Sequence, residues 1–315
     1  MAMEKRTVTG ILLALLLSIA AVWAFFERET ENRCIFPVMG TVCECSFEMK
    51  EKDFNAAVNV VRAAFDKVIK IANIHDKNSE LAHLNAAAHE KPFVCSEELY
   101  YLLKKSREAY RISNGRFDIS VKPLMDLWGF YRKEKKIPSE DVLRQTRMLC
   151  GLDKVVFDDQ KRTVFFPVKG MAFDLGGIAK GYALDSAVKL LAERGITVKS
   201  GVLNLGGNLW IFGKDNICNV GIKDPSNPQK IKSCISISAP GAVSSSGDYE
   251  RYVVIQNKKF GHIIDPLTGM PAVRNHAATV FAPKGIDSDW MSTVLFLGGE
   301  DIKNKLDCQS WIVRK

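Results

Sequence analysis

The sequence contains polar, glycine-rich stretches whose residue types suit phosphate and metal binding. The first, DLGGIAKGYALD, covers residues 174–185 and places an acid, two glycines and a lysine close together. A helix beginning here would offer free N–H groups and partial positive charge to an anion. Gly176 and Gly177 permit close backbone approach, Lys180 adds a full charge, and Asp174 suits a ligand donor better than a phosphate. The stretch predicts either a ligand loop or an ordinary turn from a strand into a helix.

A carboxylate and a hydroxyl near the C-terminus have the spacing of a metal site. Asp289 and Thr293 are four residues apart in SDWMST, so on a helix they share one face. Both are hard oxygen donors of the kind that Mg²⁺ prefers. Two protein oxygens do not complete a site, so a backbone carbonyl, waters and substrate phosphates would supply the rest. The alternative is that Asp289 is only the N-cap of a helix.

The stretch VLNLGGNLWIFG, residues 202–213, has a glycine pair inside a strand pattern. Such a pair indicates a β-bulge or a ligand lying against the backbone. The sequence leaves both interpretations open.

His262 lies where a strand pattern ends and a Pro-Leu-Thr-Gly turn follows. A single histidine beside apolar residues is usually a hydrogen-bonded structural residue. Strand ends that lead into loops are also where catalytic groups tend to lie, and imidazole serves as a base near neutral pH. Both roles therefore remain open for His262 on the sequence alone.

The elements that must position these residues form an irregular series of helices and strands. Helical patterns begin at Asp53, taken as an N-cap, and after Ser96, and two further ones cover residues 139–150 and 178–194. Strand patterns cover residues 35–49, interrupted at 39–41, then 154–157, 163–166, 202–205, 209–212, 235–238, 251–256, 260–264 and 278–281. Because the two types do not alternate regularly, the prediction is an α+β fold in one mixed globular domain.

Composition and charge distribution favour a globular protein with a small ligand over a nucleic-acid-binding protein. The 315 residues are 47% hydrophobic, which is ample for a large core, and the formal net charge is +8. Lysines and arginines are scattered rather than clustered in stripes, which argues against a nucleic-acid surface. A phosphate-bearing small ligand suits the charge equally well.

The first 34 residues differ from the rest of the chain. Lys5 and Arg6 precede an uncharged apolar run over residues 10–26, a pattern typical of an export signal or signal-anchor. Because apolar residues continue past the weak cleavage site, we favour an uncleaved anchor helix with its basic end inside. We therefore expect an anchor and linker at residues 1–34 and a catalytic domain at residues 35–315, on the extracytoplasmic side of the cytoplasmic membrane.

The eight cysteines form no paired Cys-x-x-Cys motifs, which argues against a metal site. Cys43 and Cys45 are two apart and would point to one face of a strand. Disulfides are permitted outside the cytoplasm, but we expect most of these residues to be small buried side chains.

Taken together and in order, the polar stretches resemble the FAD:protein FMN transferases of the ApbE family over roughly residues 36–299. The matching motifs are Met39-Gly40-Thr41, NSEL with Asn85, FDISVKPLMDLWGF at residues 117–130, DLGGIAKGYALD, LNLGGNL, SGDYER, HIIDPLTG and the Asp289–Thr293 pair.

The resemblance implies that FAD is the substrate and Mg²⁺ the cofactor. FMN would pass through a phosphoester bond to a threonine or serine of an acceptor protein, with release of AMP. It implies FAD contacts from Met39, His75, Arg116, Phe117, Asp118, Asp174, Lys180 and Ile264. It also implies metal contacts from Gly177, Asp289 and Thr293, and a catalytic position for His262.

The resemblance further implies acceptors among flavoprotein subunits of membrane electron-transport complexes or exported reductases. Two alternatives stay open on the sequence: an Mg²⁺-dependent FAD pyrophosphatase that yields FMN and AMP, and a non-catalytic extracytoplasmic FAD-binding protein. The sequence also departs from the family pattern at His75, Lys122, Tyr131 and Ser245. His75 stands where an aromatic such as tyrosine is more frequent and offers less area for stacking on a ring.

Overall fold

The computed structural model describes residues 30–131, 135–213, 216–248, 252–274 and 276–314. The predicted anchor lies outside these residues, and only the last part of the predicted 1–34 segment is described, as the start of the first strand. Residues 249–251 of the SGDYER motif also lie outside. Within the described ranges, no helix combines the length and apolar character needed to cross a bilayer.

Eight α-helices occur in the described residues, with two 3₁₀ turns at Ile119–Val121 and Leu152–Lys154. The helices are α1 (Glu51–Ala72), α2 (Glu80–Ala87), α3 (Glu97–Ile112), α4 (Lys122–Leu127), α5 (Glu140–Arg147), α6 (Ala179–Glu193), α7 (Gly285–Gly298) and α8 (Glu300–Lys303). The helix predicted to follow an N-cap at Asp53 begins three residues earlier, at Glu51 with Lys50 as the N-cap, so the N-cap assignment was wrong. Asp53 lies instead in the first turn, where a carboxylate still favours the helix dipole.

The strands in the described residues are short except in two hairpins. They are β1 (Thr30–Val38), β2 (Thr41–Met49), β3 (Phe93–Val94), β4 (Val156–Asp158), β5 (Thr163–Phe165), β6 (Ser200–Leu205), β7 (Asn208–Phe212), β8 (Ile217–Asp224), β9 (Asn227–Ser238), β10 (Gly241–Ser246), β11 (Tyr252–Ile255), β12 (Lys258–Gly261), β13 (Ile264–Asp265), β14 (Met270–Pro271), β15 (His276–Ala282) and β16 (Gln309–Arg314).

A seven-stranded antiparallel sheet organises the molecule, in the order β1-β2-β6-β7-β10-β15-β16. The smaller sheets are the hairpins β8–β9, β11–β12 and β13–β14 and the three-stranded sheet β3-β5-β4. An antiparallel sheet with helices segregated from it is the α+β arrangement that the sequence predicted. The mixed α/β architecture is thus confirmed.

Two glycine-containing turns sit at one end of this sheet. Met39 and Gly40 have positive φ and close the β1–β2 hairpin. Gly206 and Gly207, both with positive φ, form a two-residue turn between Leu205 and Asn208. Such turns need positive φ at both central residues, which glycine supplies without strain. The bulge interpretation of this glycine pair was therefore wrong, because the pair reverses the chain instead of bending a strand.

The two faces of the large sheet are covered differently. Helices α1 and α6 cover one face through Phe65, Leu184 and Leu203, among others. Hairpin β8–β9 covers part of the opposite face with a small apolar cluster that includes Ile211 and Ile235. Side chains alternate between faces along each strand, so alternate residues of β7 and β10 point toward the helices that carry the predicted metal ligands.

Helices α6 and α7 cross at a pair of glycines. A Cβ built on Gly181 would lie 2.1 Å from the carbonyl oxygen of Gly285, and one built on Gly285 would lie 2.5 Å from the Gly181 carbonyl oxygen. Only glycine allows backbones to approach so closely. The crossing holds Lys180, at the start of α6, beside Asp289 in the middle of α7.

All eight cysteines lie in the described residues and are free thiols. Cys43 and Cys45 are both fully buried on one face of β2, as predicted, while Cys234 is exposed. The hydrogen bond with Cys43, followed by burial, raises the pKa of the Cys45 thiol well above its ordinary value. These strand cysteines therefore behave as core residues.

Candidate active site

One cavity at the helix-covered end of the sheet collects ten of the twelve residues predicted for the site. They are Arg116, Phe117, Asp118, Asp174, Gly177, Lys180, His262, Ile264, Asp289 and Thr293. Met39 and His75 are the two that do not line it. Lys180, Asp289 and Thr293 form what we term the helical corner, and Tyr131, Asp174 and His262 form the loop rim.

Asp289 is the centre of the helical corner. Its side chain is 5% exposed, and its Oδ2 accepts the N–H of Gly181 at 2.8 Å. That N–H belongs to the first turn of α6 and has no acceptor within its own helix, so Asp289 caps α6 from across the crossing. Oδ1 lies 3.6 Å from Lys180 Nζ. Asp289 is therefore an interior residue of α7 with a tertiary role, and the alternative that it caps its own helix was wrong.

A chain of hydroxyl groups fixes the other oxygen of the corner. Ser292 Oγ donates to the carbonyl oxygen of Asp289 at 2.9 Å, so its one proton is used there. Ser246 Oγ, 2.8 Å away, must then donate to Ser292. Thr293 Oγ1, at 3.3 Å from Ser246 Oγ, is left to donate to Ser246. With this proton assignment the lone pairs of Thr293, a residue that lines the cavity, are left free for a cation.

Asp185 anchors helix α7, which carries Asp289 and Thr293. Its two carboxylate oxygens accept the N–H groups of Gly285 at 2.6 Å and Ile286 at 2.9 Å, which are the first two of α7. Burial raises the pKa of Asp185 to about 6, against the lowering effect of these two hydrogen bonds. Asp185 ends the DLGGIAKGYALD motif, so one motif both opens the cavity and supports α7.

The loop before α6 is held by side chains rather than by strand pairing. Asn85 accepts the N–H of Phe173 at 2.7 Å and donates to its carbonyl oxygen at 2.9 Å. Asp174 Oδ1 accepts the N–H of Gly176 at 2.8 Å, and Tyr131 donates its hydroxyl to Asp174 Oδ2. The predicted strand end at Asp174 was therefore wrong, because hydrogen bonds from distant side chains replace a ladder here.

Gly177 lies between the rim and the corner. A Cβ built there would be 3.1 Å from the Phe117 ring and 3.9 Å from Thr293 Oγ1. The glycine therefore sits against the predicted flavin-side residues and within reach of the predicted metal oxygens. This position suits a backbone carbonyl that contributes to a metal site.

Asp118 is mainly a structural acceptor. It is 7% exposed, and its Oδ1 accepts both the N–H and the hydroxyl of Ser120, at 2.8 and 2.7 Å. Its Oδ2 accepts the N–H of Leu152 at 3.3 Å. Burial raises the pKa of Asp118, against the lowering effect of these bonds. It shapes the cavity wall by starting the 3₁₀ turn that follows.

His262 follows β12 directly, as the sequence predicted for the end of a strand. The segment after it is fixed by remote contacts: Trp128 Nε1 donates to the Gly269 carbonyl oxygen at 2.9 Å, and Arg147 donates to that of Leu267. Arg274 forms an ion pair with Asp265 at 3.2 Å. His262 therefore stands between the end of β12 and a turn that remote side chains hold in place.

Met39 and His75 lie near the cavity without lining it. Met39 occupies the β1–β2 turn beside the cavity residues Gly40 and Thr41. His75 is exposed, and its ring meets that of Tyr131 edge to face, with centroids 4.9 Å apart. The structure thus places His75 behind Tyr131 at the mouth of the cavity.

Among the cavity residues that the sequence did not predict for the site, three have polar side chains with a distinct place in it: Tyr131, Ser246 and Asn208. Tyr131 was visible only as a departure from the family pattern. Ser246 lay in a run of three serines, and nothing in the sequence distinguishes the one that reaches Thr293. Of the other departures, Lys122 pairs with Asp126 at 2.8 Å and Ser245 shares a hydrogen bond with Thr279 at 2.8 Å.

Comparisons with a family model and with curated relatives point to the same family. The model of the ApbE family matches residues 39–309. A protein of Treponema pallidum named FAD:protein FMN transferase is 29% identical over 281 residues, covering 83% of this chain and 77% of its own. A Haemophilus influenzae protein of the same name is 27% identical over 317 residues, covering 94% of this chain and 88% of its own.

Solved structures show the same fold. The ApbE protein of Thermotoga maritima superposes with a TM-score of 0.81 at 26% identity, over 91% of this chain and 97% of that one. The flavin transferase ApbE of Vibrio cholerae has a TM-score of 0.77 at 21% identity, covering 91% and 94% of the two chains. Because the sequence identity to the Vibrio cholerae protein is only 21%, this match shows a shared fold and nothing further.

Proposed function

The chain belongs to the ApbE family, and from this membership we propose that it transfers FMN from FAD to a hydroxyl group of an acceptor protein. The observation that carries the proposal is the convergence of the helical corner with His262 in one cavity. These residues come from α6, α7 and the loop after β12, which are far apart in sequence. A pocket with an anion-binding helix start, hard oxygen donors and an imidazole suits phosphoryl transfer.

The donor set of the corner fits Mg²⁺. It offers a nearly buried carboxylate, a hydroxyl on the cavity wall, and a glycine beside them. In the described part of the chain, no group of three or more histidine, cysteine or acidic side chains could hold a metal. Mg²⁺ tolerates such a sparse set because it keeps several waters and shares substrate phosphates. Asp289, Thr293 and the Gly177 carbonyl would hold it.

When bound, Mg²⁺ would supply positive charge that stabilises the negative charge building up during phosphoryl transfer. Lys180 lines the cavity beside Asp289, so its ammonium group would help to neutralise a diphosphate bound there. The positive end of the α6 dipole lies at the same place. The chain's own contribution is therefore to orient the diphosphate and to balance its charge.

The reaction needs one proton to move. The acceptor hydroxyl oxygen forms a bond to the phosphorus of the FMN half while the bond from that phosphorus to the bridging oxygen breaks, and AMP leaves with the oxygen. His262 takes the proton of the attacking hydroxyl, because a hydroxyl is a weak nucleophile and gains from an adjacent base. The loop rim places this imidazole in the same cavity as the metal ligands.

We also propose that the catalytic domain works outside the cytoplasm, held by the N-terminal segment. The support is the basic start and apolar run of residues 5–26. Its acceptors would then be exported or membrane-bound flavoproteins that expose a threonine or serine.

The test is an assay of the full chain in detergent with FAD, Mg²⁺ and a candidate acceptor that carries an exposed threonine. Mass spectrometry should show FMN covalently bound to the acceptor, together with released AMP. Free FMN and AMP with no labelled acceptor would identify a hydrolase instead. Unchanged FAD across a panel of acceptors, with FAD bound, would contradict any catalytic function.

A further inference from the structure

Asn208 is buried at the edge of the cavity and carries an unpartnered polar group. The residue is 2% exposed and lines the cavity. Its Nδ2 is the one buried side-chain nitrogen or oxygen in the described ranges that has no hydrogen-bond partner. Burying an amide group without a partner costs free energy. A ligand that supplies an acceptor would remove this cost.

The hairpin does not need this side chain. Leu205 and Asn208 pair through their backbones at the base of the turn, and Asn204 Oδ1 accepts the N–H of Gly207 at 2.9 Å. The N–H of Gly206 donates to the carbonyl oxygen of Val42 at 3.0 Å. The polar groups of the turn are thus satisfied by other residues, so its local structure does not explain an asparagine at position 208.

The register of the sheet places Asn208 toward the helical corner. Leu209 pairs with Val243, so the next pair in the same register is Asn208 with Ser244. Paired residues of antiparallel strands point to the same face. Ser244 bonds Ser288 of α7 at 2.8 Å, and Ser246, on the same face, approaches Thr293. Asn208 therefore faces α7 from the sheet, on the side where the metal ligands lie.

We propose that Asn208 binds the substrate by donating an amide hydrogen bond to a diphosphate oxygen of FAD. The inference rests on the proposed transferase function and adds a residue to it. No protein acceptor in the described residues lies within hydrogen-bond distance of Nδ2, and an oxygen of a ligand in the cavity that Asn208 lines would supply the missing one. The last side-chain torsion of asparagine is broad, so the amide turns to meet the ligand without moving the strand.

The experiment compares two variants with wild type in Mg²⁺, Asn208→Ala and Asn208→Leu, the second of which keeps most of the volume. Isothermal titration with FAD and with ADP, which retains the diphosphate without the flavin, should give dissociation constants raised about tenfold for both ligands. Thermal unfolding of the ligand-free variants should occur at or above the wild-type temperature, because an unpartnered amide is removed.

The matched control is Asn204→Ala on the same hairpin. It should lower the unfolding temperature, since Gly207 loses its acceptor, while FAD and ADP affinities remain within about twofold of wild type. Unchanged FAD affinity in both Asn208 variants would overturn the proposal, and so would a loss for FAD but not for ADP. Affinity lost together with ligand-free stability would assign Asn208 a structural role. If the proposed transferase function is wrong, the wild-type protein will label no acceptor. That outcome is distinct from the affinity changes that test Asn208.

Discussion

The helical corner and the loop rim face the same cavity but are built in different ways. In the corner, Asp289 and Thr293 stand on one buried helix, and Asp289 also caps α6. In the rim, Tyr131 and His262 stand on loops that a few remote hydrogen bonds hold in place. A side chain that joins two helices is coupled to the fold, whereas one on a loop is coupled mainly to its ligand. Changes in the corner should therefore affect metal binding and stability together, and changes in the rim should affect catalysis or FAD binding with little effect on stability.

The largest effect is expected at Asp289. Asp289→Ala removes the only carboxylate of the proposed metal set. FMN transfer should fall at least about 10³-fold, a larger loss of rate than is typical when a single charge-stabilising donor is removed. Asp289→Asn keeps an acceptor for Gly181 and should recover stability but not transfer. Steady-state transfer rates over a range of Mg²⁺ concentrations measure the first effect, and urea unfolding the second.

The control for Asp289 is Asp287→Ala on the same helix. Asp287 pairs with Lys105 at 3.3 Å, away from the cavity, and its loss should leave the transfer rate nearly unchanged. Wild-type transfer by Asp289→Ala in limiting Mg²⁺ would show that the metal lies elsewhere.

His262 is the test of the rim. His262→Ala should bind FAD nearly as tightly as wild type, measured by quenching of flavin fluorescence, and should label the acceptor about 100-fold more slowly. Stability should not change, because the residue stands on a loop. His83→Ala, an exposed histidine on α2, is the control and should behave as wild type. If FAD binding collapses while bound FAD turns over normally, His262 is a binding or structural residue.

The stability of an Asp185 variant measures how much the anchoring of α7, the helix of the corner, contributes to the fold. Asp185→Ala leaves the first two N–H groups of α7 without acceptors and should cost about 1–2 kcal/mol of the free energy of unfolding. Because burial raises the pKa of Asp185 from 3.8 to about 6, the folded state holds more protons than the unfolded state in that range. The stabilising contribution of Asp185 is therefore greatest at low pH and declines as pH rises from 3.8 to about 6.

Urea unfolding on both sides of that range should show a wider gap between wild type and Asp185→Ala at the acidic end. Asp141→Ala, a change at an exposed carboxylate on α5, should show no such trend. An equal gap at both pH values would mean that the two N–H donors fully balance the effect of burial at Asp185.

Ser246 tests the hydroxyl chain. Ser246→Ala removes the acceptor of the Thr293 proton and should weaken Mg²⁺ binding about tenfold, as is typical when a group that orients a metal ligand is lost. Titration of Mg²⁺ against FAD binding measures this affinity. Ser244→Ala on the same face, which bonds Ser288 instead, should leave it unchanged. Equal losses in the two variants would indicate a general packing effect.

The smallest effect is expected at Tyr131. Tyr131→Phe keeps the edge-to-face contact with His75 but removes the hydroxyl that donates to Asp174. One hydrogen bond corresponds to a few-fold loss of FAD affinity, about 2–10-fold. Tyr101→Phe, a change at an exposed ring that meets Tyr182, serves as the control. A loss of stability larger than the loss of affinity would show that the rim is coupled to the fold as tightly as the corner.

The sequence by itself determined the chemistry and the class of fold. Residue types at a fixed local spacing, such as Asp289 with Thr293, keep their relative position in the fold because a helix sets their geometry within about one turn. The alternation of the strands and the helical patterns likewise predicted the elements of an α+β fold, because hydrophobic periodicity reflects which face is buried.

Only the tertiary structure decided which residues meet across long stretches of chain. Asp289 reaches Gly181, Tyr131 reaches Asp174, and Ser246 reaches Thr293, and no local pattern encodes such pairs. The same holds for the glycine pair 206–207, whose role as a turn depends on the strands that it joins, and for Asn208, whose missing partner appears only after every neighbour has been placed. These contacts depend on the packing of the whole chain, so local sequence patterns gave the residue types of the site while its arrangement came from the fold.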